Sequence, residues 1–192
     1  MTLQHQSSAQ LPTRFGLFTI HVFREDDGTE QIALVAGEPV NDCLLRIHSE
    51  CATGDLFGSL RCDCRDQLEA SMQKISGQGY GMLIYLRKHE GRGIGLANKI
   101  KAYAFQEEGL DTVDANLCLG FSADMREYGA AIEILNYFKL SRVCLLSNNP
   151  CKISALEAGN ITISERTPLW TKSNTHNEKY LNTKKEKMGH LG

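Results

Sequence analysis

Three cysteines lie close together in the first third of the chain, at Cys51, Cys62 and Cys64. Thiolates are preferred zinc ligands, and a Cys-x-Cys pair can present two sulfurs to one ion while the upstream cysteine returns through the turn-forming residues Thr53-Gly54-Asp55. Three ligands leave one coordination position open, where a water could become a nucleophile at neutral pH. Spacing alone leaves two other interpretations open: a closed structural site that adds Cys43 or His48, or three buried thiols that bind no metal.

A second group of residues could bind phosphate. The run Gly91-Arg92-Gly93-Ile94-Gly95 precedes a predicted helix, where consecutive backbone amides can form an anion-binding nest and Arg92 can add a bidentate charge. Lys152 lies in the first turn of another predicted helix, where a cation opposes the helix dipole unless an anion lies nearby. A solvated surface lysine is the competing interpretation of Lys152.

An acid and a guanidinium lie two residues apart at Asp124 and Arg126, so both could face one substrate from an extended segment. A surface ion pair, which contributes little to stability, explains the two residues equally well. Tyr103 lies in a predicted helix whose apolar face includes Ile100 and Ala104. Core packing is therefore the simplest interpretation of this tyrosine.

Alternating strands and helices must position these residues. Apolar and β-branched runs predict strands at 15–23, 31–36, 43–48, 80–86 and 142–147. Helical spacing and capping residues predict helices at 66–75, 96–108 and 150–157. The alternation predicts an α/β fold, with a mixed sheet and flanking helices in a single compact domain.

The composition limits the classes of partner. The 192 residues carry a formal net charge of −2, which provides no general attraction for nucleic acid or an anionic membrane, so any phosphate binding must be local. The seven cysteines are an odd number and no signal-peptide pattern begins the chain, which favours a cytoplasmic protein with reduced thiols. No apolar run approaches the roughly 20 residues that span a bilayer.

Several phrases taken together resemble the GTP cyclohydrolase II family, which opens the imidazole ring of GTP at the start of riboflavin biosynthesis. The resemblance covers nearly the whole chain, in the phrases Arg46–Asp55, Gly58–Cys64, Glu90–Leu96, Asn98–Ala104, Asp111–Asn116, Ser147–Pro150 and Lys187–Leu191. We therefore expect residues 1–170 to form a catalytic domain of this type and the polar stretch 171–192 to be a C-terminal tail of the same domain.

The resemblance implies zinc-dependent hydrolysis of GTP at C8, with release of formate and pyrophosphate to give 2,5-diamino-6-(5-phosphoribosylamino)pyrimidin-4(3H)-one. It implies one catalytic zinc per chain on Cys51, Cys62 and Cys64, magnesium with the triphosphate, and a homodimer. By the same resemblance, the implied GTP-binding positions are Arg46, Ile47, His48, Ser49, Glu50, Gln67, Glu90, Gly91, Arg92, Thr112, Ser147 and Lys152.

The resemblance also assigns roles in the reaction. Arg126 matches the proposed phosphorus nucleophile, Asp124 its proton acceptor, and Tyr103 a residue at the reacting base. A guanidinium stays protonated, with a pKa above about 12, so a charge-stabilising role for Arg126 is equally open.

Two features depart from the family pattern. This chain has Arg87-Lys88-His89 where arginine and glutamine usually precede Glu-Gly-Arg, and one extra residue in an anion nest can rotate amides away from a phosphate. Arg65 replaces an expected glycine, which is difficult to accommodate if the position needs a positive φ. A specialised paralogue that supplies a pteridine-type metabolite, or a catalytically degenerate GTP-binding regulator, is the alternative to a riboflavin enzyme.

Overall fold

A computed structural model describes residues 2–110, 112–122 and 124–186 of the chain. Within these ranges one sheet contains β1 (Leu3–Thr13), β2 (Gly16–Glu25), β3 (Glu30–Ala36), β4 (Cys43–Ser49), β5 (Gly81–Leu86), β6 (Arg142–Leu146) and β7 (Thr162–Thr167). The helices are α1 (Cys64–Gln78), α2 (Leu96–Glu107), α3 (Thr112–Cys118), α4 (Gly129–Tyr137), α5 (Pro150–Ala158) and α6 (Glu178–Glu186). A π-helical turn at Ala52–Leu56 and a 3-10 turn at Glu90–Arg92 follow β4 and β5.

The sheet has the strand order β1-β2-β3-β5-β4-β6-β7. Strands β1, β2, β3 and β5 pair antiparallel in succession, whereas β5, β4, β6 and β7 are parallel neighbours. The carboxyl ends of the parallel strands therefore meet at one edge, which is where α/β sheets usually bind ligands. The loops after β4, β5 and β6 all begin at this edge. The predicted mixed sheet with flanking helices in one compact domain is confirmed.

The core explains why the central strands have nearly continuous apolar sequences. Strand β5 is buried on both faces: Met82 and Ile84 pack in one cluster with Ile134 of α4, while Leu83 packs in a second cluster with Ile75 of α1. Parallel strands covered by helices on both faces have this pattern. The sheet thus forms a rigid support for the loops at its edge.

The predicted strands and helices are present with shifted ends. The structure adds β1, β7, α3, α4 and α6. Strand β1 was not predicted because its residues are mostly polar and exposed, and so show no apolar pattern. Its place in the sheet comes from backbone pairing with β2. Arg65 lies in the first turn of α1, is not among the positive-φ residues, and donates through Nε to Glu69 Oε1 at 2.9 Å. The expected difficulty of a positive φ at Arg65 is therefore absent.

None of the helices in the described ranges is long and apolar enough to cross a membrane.

Candidate active site

The three predicted cysteines converge where β4 ends and α1 begins. Cys51 precedes the π-helical turn, Cys62 lies in the connection to α1, and Cys64 is the first residue of that helix. The three Sγ atoms lie within 4.8 Å of one another, and those of Cys51 and Cys62 are 3.7 Å apart. Two sulfurs on one tetrahedral zinc, each about 2.3 Å from it, would be roughly 3.8 Å apart. The thiols therefore fit a shared metal ion.

Gly54 leaves the space that this sulfur cluster needs. A Cβ at this position would lie 2.8 Å from Cys62 Sγ and 3.2 Å from Cys51 Sγ. Gly54 is not among the positive-φ glycines, so the requirement at this position is space and not an unusual backbone conformation. The glycine that the sequence marks only as a turn former is thus part of the wall around the thiols.

Asp55 holds the backbone of the cysteine loop. Its Oδ2 accepts hydrogen bonds from the Cys51 amide at 3.0 Å and the Tyr85 hydroxyl at 2.8 Å, and its Oδ1 lies 3.1 Å from His48 Nε2. His48 is engaged in this way, and Cys43 is fully buried in the core, so neither joins the sulfur cluster. The geometry does not support the closed-site interpretation.

A buried ion pair borders the sulfur cluster on its other side. Lys99 Nζ lies 2.5 Å from Glu90 Oε1, 3.0 Å from Cys51 Sγ and 2.8 Å from Thr53 Oγ1. Glu90 Oε2 also accepts a hydrogen bond from the Ala52 amide at 2.5 Å. Glu90 therefore links the loop after β5 to the cysteine loop after β4.

The three thiols differ in acidity. Hydrogen bonds from Cys62 and Cys64, together with the Lys99 ammonium, lower the pKa of Cys51 well below its usual value. The hydrogen bond to Cys51 raises the pKa of Cys62 to about 11, and the pKa of Cys64 is also raised. Burial opposes the charge on Lys99, but the neighbouring Cys51 raises the pKa of this ammonium overall. Cys51 thus favours the thiolate form, which is the form that binds metal ions.

Tyr103 of α2 lines the cavity beside the thiols. Its hydroxyl lies 3.2 Å from Thr53 Oγ1, and the Arg61 guanidinium carbon lies 4.7 Å from the centre of its ring. Burial raises the pKa of this hydroxyl, so it stays protonated at neutral pH. Ile100, assigned to the same apolar face, is 49% exposed. This helix face therefore does not pack in the core.

Two adjoining chambers, which share part of their walls, form a cleft at the sheet edge. The sulfur chamber, of about 650 Å³, is lined by the three cysteines, Arg61, Ile94, Lys99, Ala102 and Tyr103 among others. The cationic chamber, of about 600 Å³, is lined by residues that include Arg46, His48, Gln67, Ser147, Asn148, Asn149 and Lys152. The residues common to both chambers are Ser49, Cys64, Arg92, Arg126 and Tyr180.

Arg46 is a buried cation that donates to neutral acceptors in the cationic chamber. Its NH1 donates to the Leu146 carbonyl at 2.9 Å and its NH2 to Gln67 Oε1 at 2.6 Å. Burial lowers the pKa of Arg46 to about 10, which leaves it charged at neutral pH. Lys152, in the first turn of α5, donates through Nζ to the Ile47 carbonyl at 2.7 Å. The buried acid Asp63 offsets part of the Arg46 charge, and the concentration of buried cations in this chamber still favours an anionic ligand.

Asp124 and Arg126 form a largely buried, bidentate pair. Arg126 Nε donates to Asp124 Oδ1 at 2.8 Å and NH2 donates to Oδ2 at 2.5 Å, while the side chains are 12% and 19% exposed for Arg126 and Asp124 respectively. Burial opposes both charges, yet the pairing raises the pKa of Arg126 and lowers the pKa of Asp124. The interpretation as an exposed ion pair is wrong, because the pair lies in the wall of the cleft.

In the glycine-rich loop, the Arg92 side chain lines the cleft, but the backbone amides do not form the predicted anion nest. The amides of Arg92, Gly93 and Gly95 donate to the backbone carbonyls of His89 and Glu90 at 2.9 to 3.1 Å. These amides are therefore committed within the loop, and the expected nest is not formed by them. Arg92 adopts a positive φ of 67° and its buried side chain lines both chambers.

Lys88 and His89, where the sequence predicts one additional residue, differ in their exposure. Lys88 has a φ of 61° and is 62% exposed, with Nζ 2.5 Å from Asp27 Oδ2. His89 turns inward and is 7% exposed. Glu90 still reaches Lys99, so the additional residue does not remove this acid from the site.

The structure brings most of the predicted binding residues to the cleft. Those that line it are Arg46, His48, Ser49, Glu50, Gln67, Gly91, Arg92, Ser147 and Lys152. Glu90 lies behind the wall, and the Ile47 side chain packs in the core while its carbonyl accepts from Lys152. The side chain of Thr112 lies outside the described residues, as do Asp111 and the phrase Lys187–Leu191.

The residues that line or support the site but were not predicted as site residues include Lys99, Asp55, His89 and Tyr180. Lys99 has a partial sequence signal, because it lies one helical turn before Tyr103 and so shares its face. Tyr180 comes from α6, which returns to the cleft from the polar C-terminal stretch. Nothing local in that stretch indicates this contact.

Comparison with known proteins agrees with the geometry. A family model described as GTP cyclohydrolase II matches residues 4–168. The chain is 49% identical to GTP cyclohydrolase-2 of Picrophilus torridus, over 98% of this chain and 99% of that protein, and 50% identical to GTP cyclohydrolase-2 of Neisseria gonorrhoeae, over 98% and 96%. It is also 50% identical to riboflavin biosynthesis protein RibBA of Aquifex aeolicus, over 96% of this chain but only 46% of that longer protein.

A solved structure shares the fold. The two-domain 3,4-dihydroxy-2-butanone 4-phosphate synthase RibBX from A. baumannii aligns with a TM-score of 0.51 and 18% identity, covering 90% of this chain and 41% of that chain. At this identity the likeness concerns the fold alone.

Proposed function

The chain belongs to the GTP cyclohydrolase II family of riboflavin biosynthesis, and from this premise we propose that it hydrolyses GTP at C8 of the imidazole ring. Formate and pyrophosphate are released, and the product is 2,5-diamino-6-(5-phosphoribosylamino)pyrimidin-4(3H)-one. The observation that carries the proposal is that a thiol-lined chamber adjoins a chamber of buried cations and shares wall residues with it. One ligand with a heterocycle at one end and phosphates at the other would contact both.

The base belongs in the sulfur chamber. A zinc ion held by Cys51, Cys62 and Cys64 would lower the pKa of a bound water toward about 7 and so supply a nucleophile for C8. Tyr103 offers a protonated hydroxyl beside this position, and Glu90 keeps the cysteine loop and α2 together through Ala52 and Lys99. The uneven acidity of the thiols, with Cys51 already favouring the thiolate, supports a metal-binding role.

The phosphates belong in the cationic chamber. Arg46 and Lys152 are buried there and donate to neutral oxygens, and Arg92 and Arg126 lie between the two chambers. Anionic phosphate oxygens would balance this charge and replace weaker neutral contacts. We extend the proposal to magnesium bound with the triphosphate.

Arg126 is better suited to stabilise charge than to attack phosphorus. The bidentate Asp124 carboxylate raises its pKa, so its nitrogens stay protonated and have no free lone pair for attack. A fixed guanidinium can instead stabilise negative charge that develops on the α-phosphate as pyrophosphate leaves. Asp124 would then orient Arg126, and the assigned role of proton acceptor is not required of it.

The organisation of the protein is included in the proposal. We propose that residues 1–170 form the catalytic domain, that the stretch 171–192 completes it, and that the enzyme is a homodimer with one zinc per chain. The contribution of Tyr180 to both chambers supports a functional place for the C-terminal stretch.

The direct test is incubation of the zinc-loaded protein with GTP and magnesium, followed by assays of formate and pyrophosphate and mass spectrometry of the product. We expect both leaving groups in equal amounts, with loss of the imidazole absorbance. ATP is the matched control substrate, since it has the same triphosphate on a different purine. GTP binding without loss of the ring absorbance would support a regulatory paralogue and contradict the proposed activity.

A further inference from the structure

His89 is buried in the wall of the sulfur chamber, which Ser49 and Arg126 also line. Its Nδ1 lies 3.1 Å from Ser49 Oγ, and its ring meets the Tyr128 ring edge to face at 5.5 Å between centroids. The preceding residue, Lys88, adopts a positive φ of 61°, which side chains other than glycine rarely do. That backbone conformation sends Lys88 outward and His89 inward.

Ser49 connects His89 to Arg126. Arg126 NH1 lies 3.5 Å from the same Ser49 Oγ, while Nε and NH2 of this guanidinium are bound by Asp124. Asp124 thus fixes one edge of the guanidinium and leaves NH1 on the other. Ser49 is the neighbour that meets NH1 at the cleft surface, where both residues line the two chambers.

The hydrogen-bonding capacities of the groups fix one direction in this chain. A guanidinium can only donate, so Ser49 Oγ accepts from Arg126, and the Ser49 proton has two neighbouring acceptors, His89 Nδ1 and the Tyr128 oxygen. Burial, reinforced by the charges of Arg126 and Lys152, lowers the pKa of His89 to about 4, so the ring is neutral at physiological pH. The Glu127 backbone also hydrogen-bonds this ring.

We propose that His89 is a positioning residue that, through the Ser49 hydroxyl, aims the NH1 edge of Arg126 into the cleft. Asp124 and His89 then act on opposite edges of one guanidinium, the first directly and the second through Ser49. The functional consequence rests on the proposed function, which puts the scissile phosphate in front of Arg126. The hydrogen-bond chain itself is a property of the ligand-free protein.

The first test needs no turnover. Two-bond ¹H–¹⁵N NMR of the imidazole rings, with the His89 signals assigned from His89→Phe, should show a neutral ring protonated at Nε2 at pH 7. Ser49→Ala should shift the Nδ1 resonance because it loses its donor. A ring protonated at Nδ1, or signals that do not respond to Ser49→Ala, would overturn the proposal.

The second test separates positioning from general structure. His89→Phe keeps the ring contact with Tyr128 but removes both hydrogen bonds, and it should lower kcat for pyrophosphate release about tenfold while KM for GTP stays within about twofold. His89→Asn, whose amide oxygen can take the place of Nδ1, should restore most of kcat. His5→Phe, at a half-buried histidine far along the sheet, is the matched control.

A double-mutant cycle completes this test. Ser49→Ala combined with His89→Phe should be no slower than Ser49→Ala alone, because both changes interrupt the same link to Arg126. Rate losses that multiply, or a His89→Phe effect confined to KM, would contradict the link. A wild-type protein without GTP turnover would count against the proposed function alone, since the NMR result still decides the contact between His89 and Ser49.

Discussion

The two chambers of the cleft are assembled in different ways. The sulfur chamber takes its three cysteines from one short segment, Cys51 to Cys64, and its geometry depends on a single turn and the start of one helix. The cationic chamber joins residues far apart in the chain: Arg46 bonds to Leu146 across 100 residues and Lys152 to Ile47 across 105. The first can be recognised locally, whereas the second exists only when the sheet is complete.

The chambers also differ in how their charges are balanced. In the sulfur chamber Lys99 is paired with Glu90 and lies against the Cys51 sulfur. In the cationic chamber Arg46 donates to a carbonyl and an amide oxygen. The first arrangement suits the proposed metal ion held by thiolates, and the concentration of buried cations in the second suits the proposed phosphates. Changes in one chamber should therefore separate metal binding from phosphate chemistry.

The largest effect is expected from Cys62→Ser. Loss of one of three sulfurs should remove zinc and reduce formate release by at least about a hundredfold. GTP affinity should change by less than about threefold, since the cationic chamber is untouched. Zinc content and equilibrium GTP binding check this separation, with Cys144→Ser as the control at a half-buried cysteine outside the cluster. Retained zinc with loss of solubility would instead indicate a structural thiol.

Arg126→Ala should have the converse effect. We expect pyrophosphate release to fall about a hundredfold, as when one donor to a developing anion is removed, while zinc content stays at one per chain. GTP affinity should fall much less than the rate. Rapid-quench measurement of pyrophosphate against GTP binding tests the prediction, and Arg142→Ala, which breaks an exposed bidentate pair with Asp42, is the control. Unchanged turnover would remove Arg126 from the mechanism.

A smaller effect is expected from Gly54→Ala. The added Cβ would meet Cys62 Sγ at 2.8 Å, so the sulfurs must move apart and zinc affinity should fall about tenfold. Gly77→Ala in α1, where a Cβ meets nothing within 4 Å, is the matched control and should leave zinc affinity unchanged. Competition with a chromogenic chelator measures both variants. Equal affinities would show that the thiols do not need the space at Gly54.

The difference between the chambers also limits what could be predicted from sequence. Cys51, Cys62 and Cys64 were grouped because of their short spacing, but this spacing left other interpretations open until the structure placed their sulfur atoms within 4.8 Å of one another. For Asp124 and Arg126, their own spacing did not separate an exposed pair from the buried one that is observed. The prediction that backbone amides of residues 91–95 bind an anion was wrong for Arg92, Gly93 and Gly95. Their amides donate to carbonyls within the loop.

The sequence by itself determined the mixed α/β class, through the alternation of apolar strands with helices, and the family, through phrases spread along nearly the whole chain. It also singled out Cys51, Cys62 and Cys64 as a set, but their spacing left a closed site and a metal-free cluster open, and the proximity of the three sulfurs came from the structure. Only the tertiary structure decided that Tyr103 faces the cleft, that Tyr180 returns to it, and that His89 reaches Ser49. Those contacts join segments that local periodicity does not relate, so they depend on how the sheet brings its edge loops together.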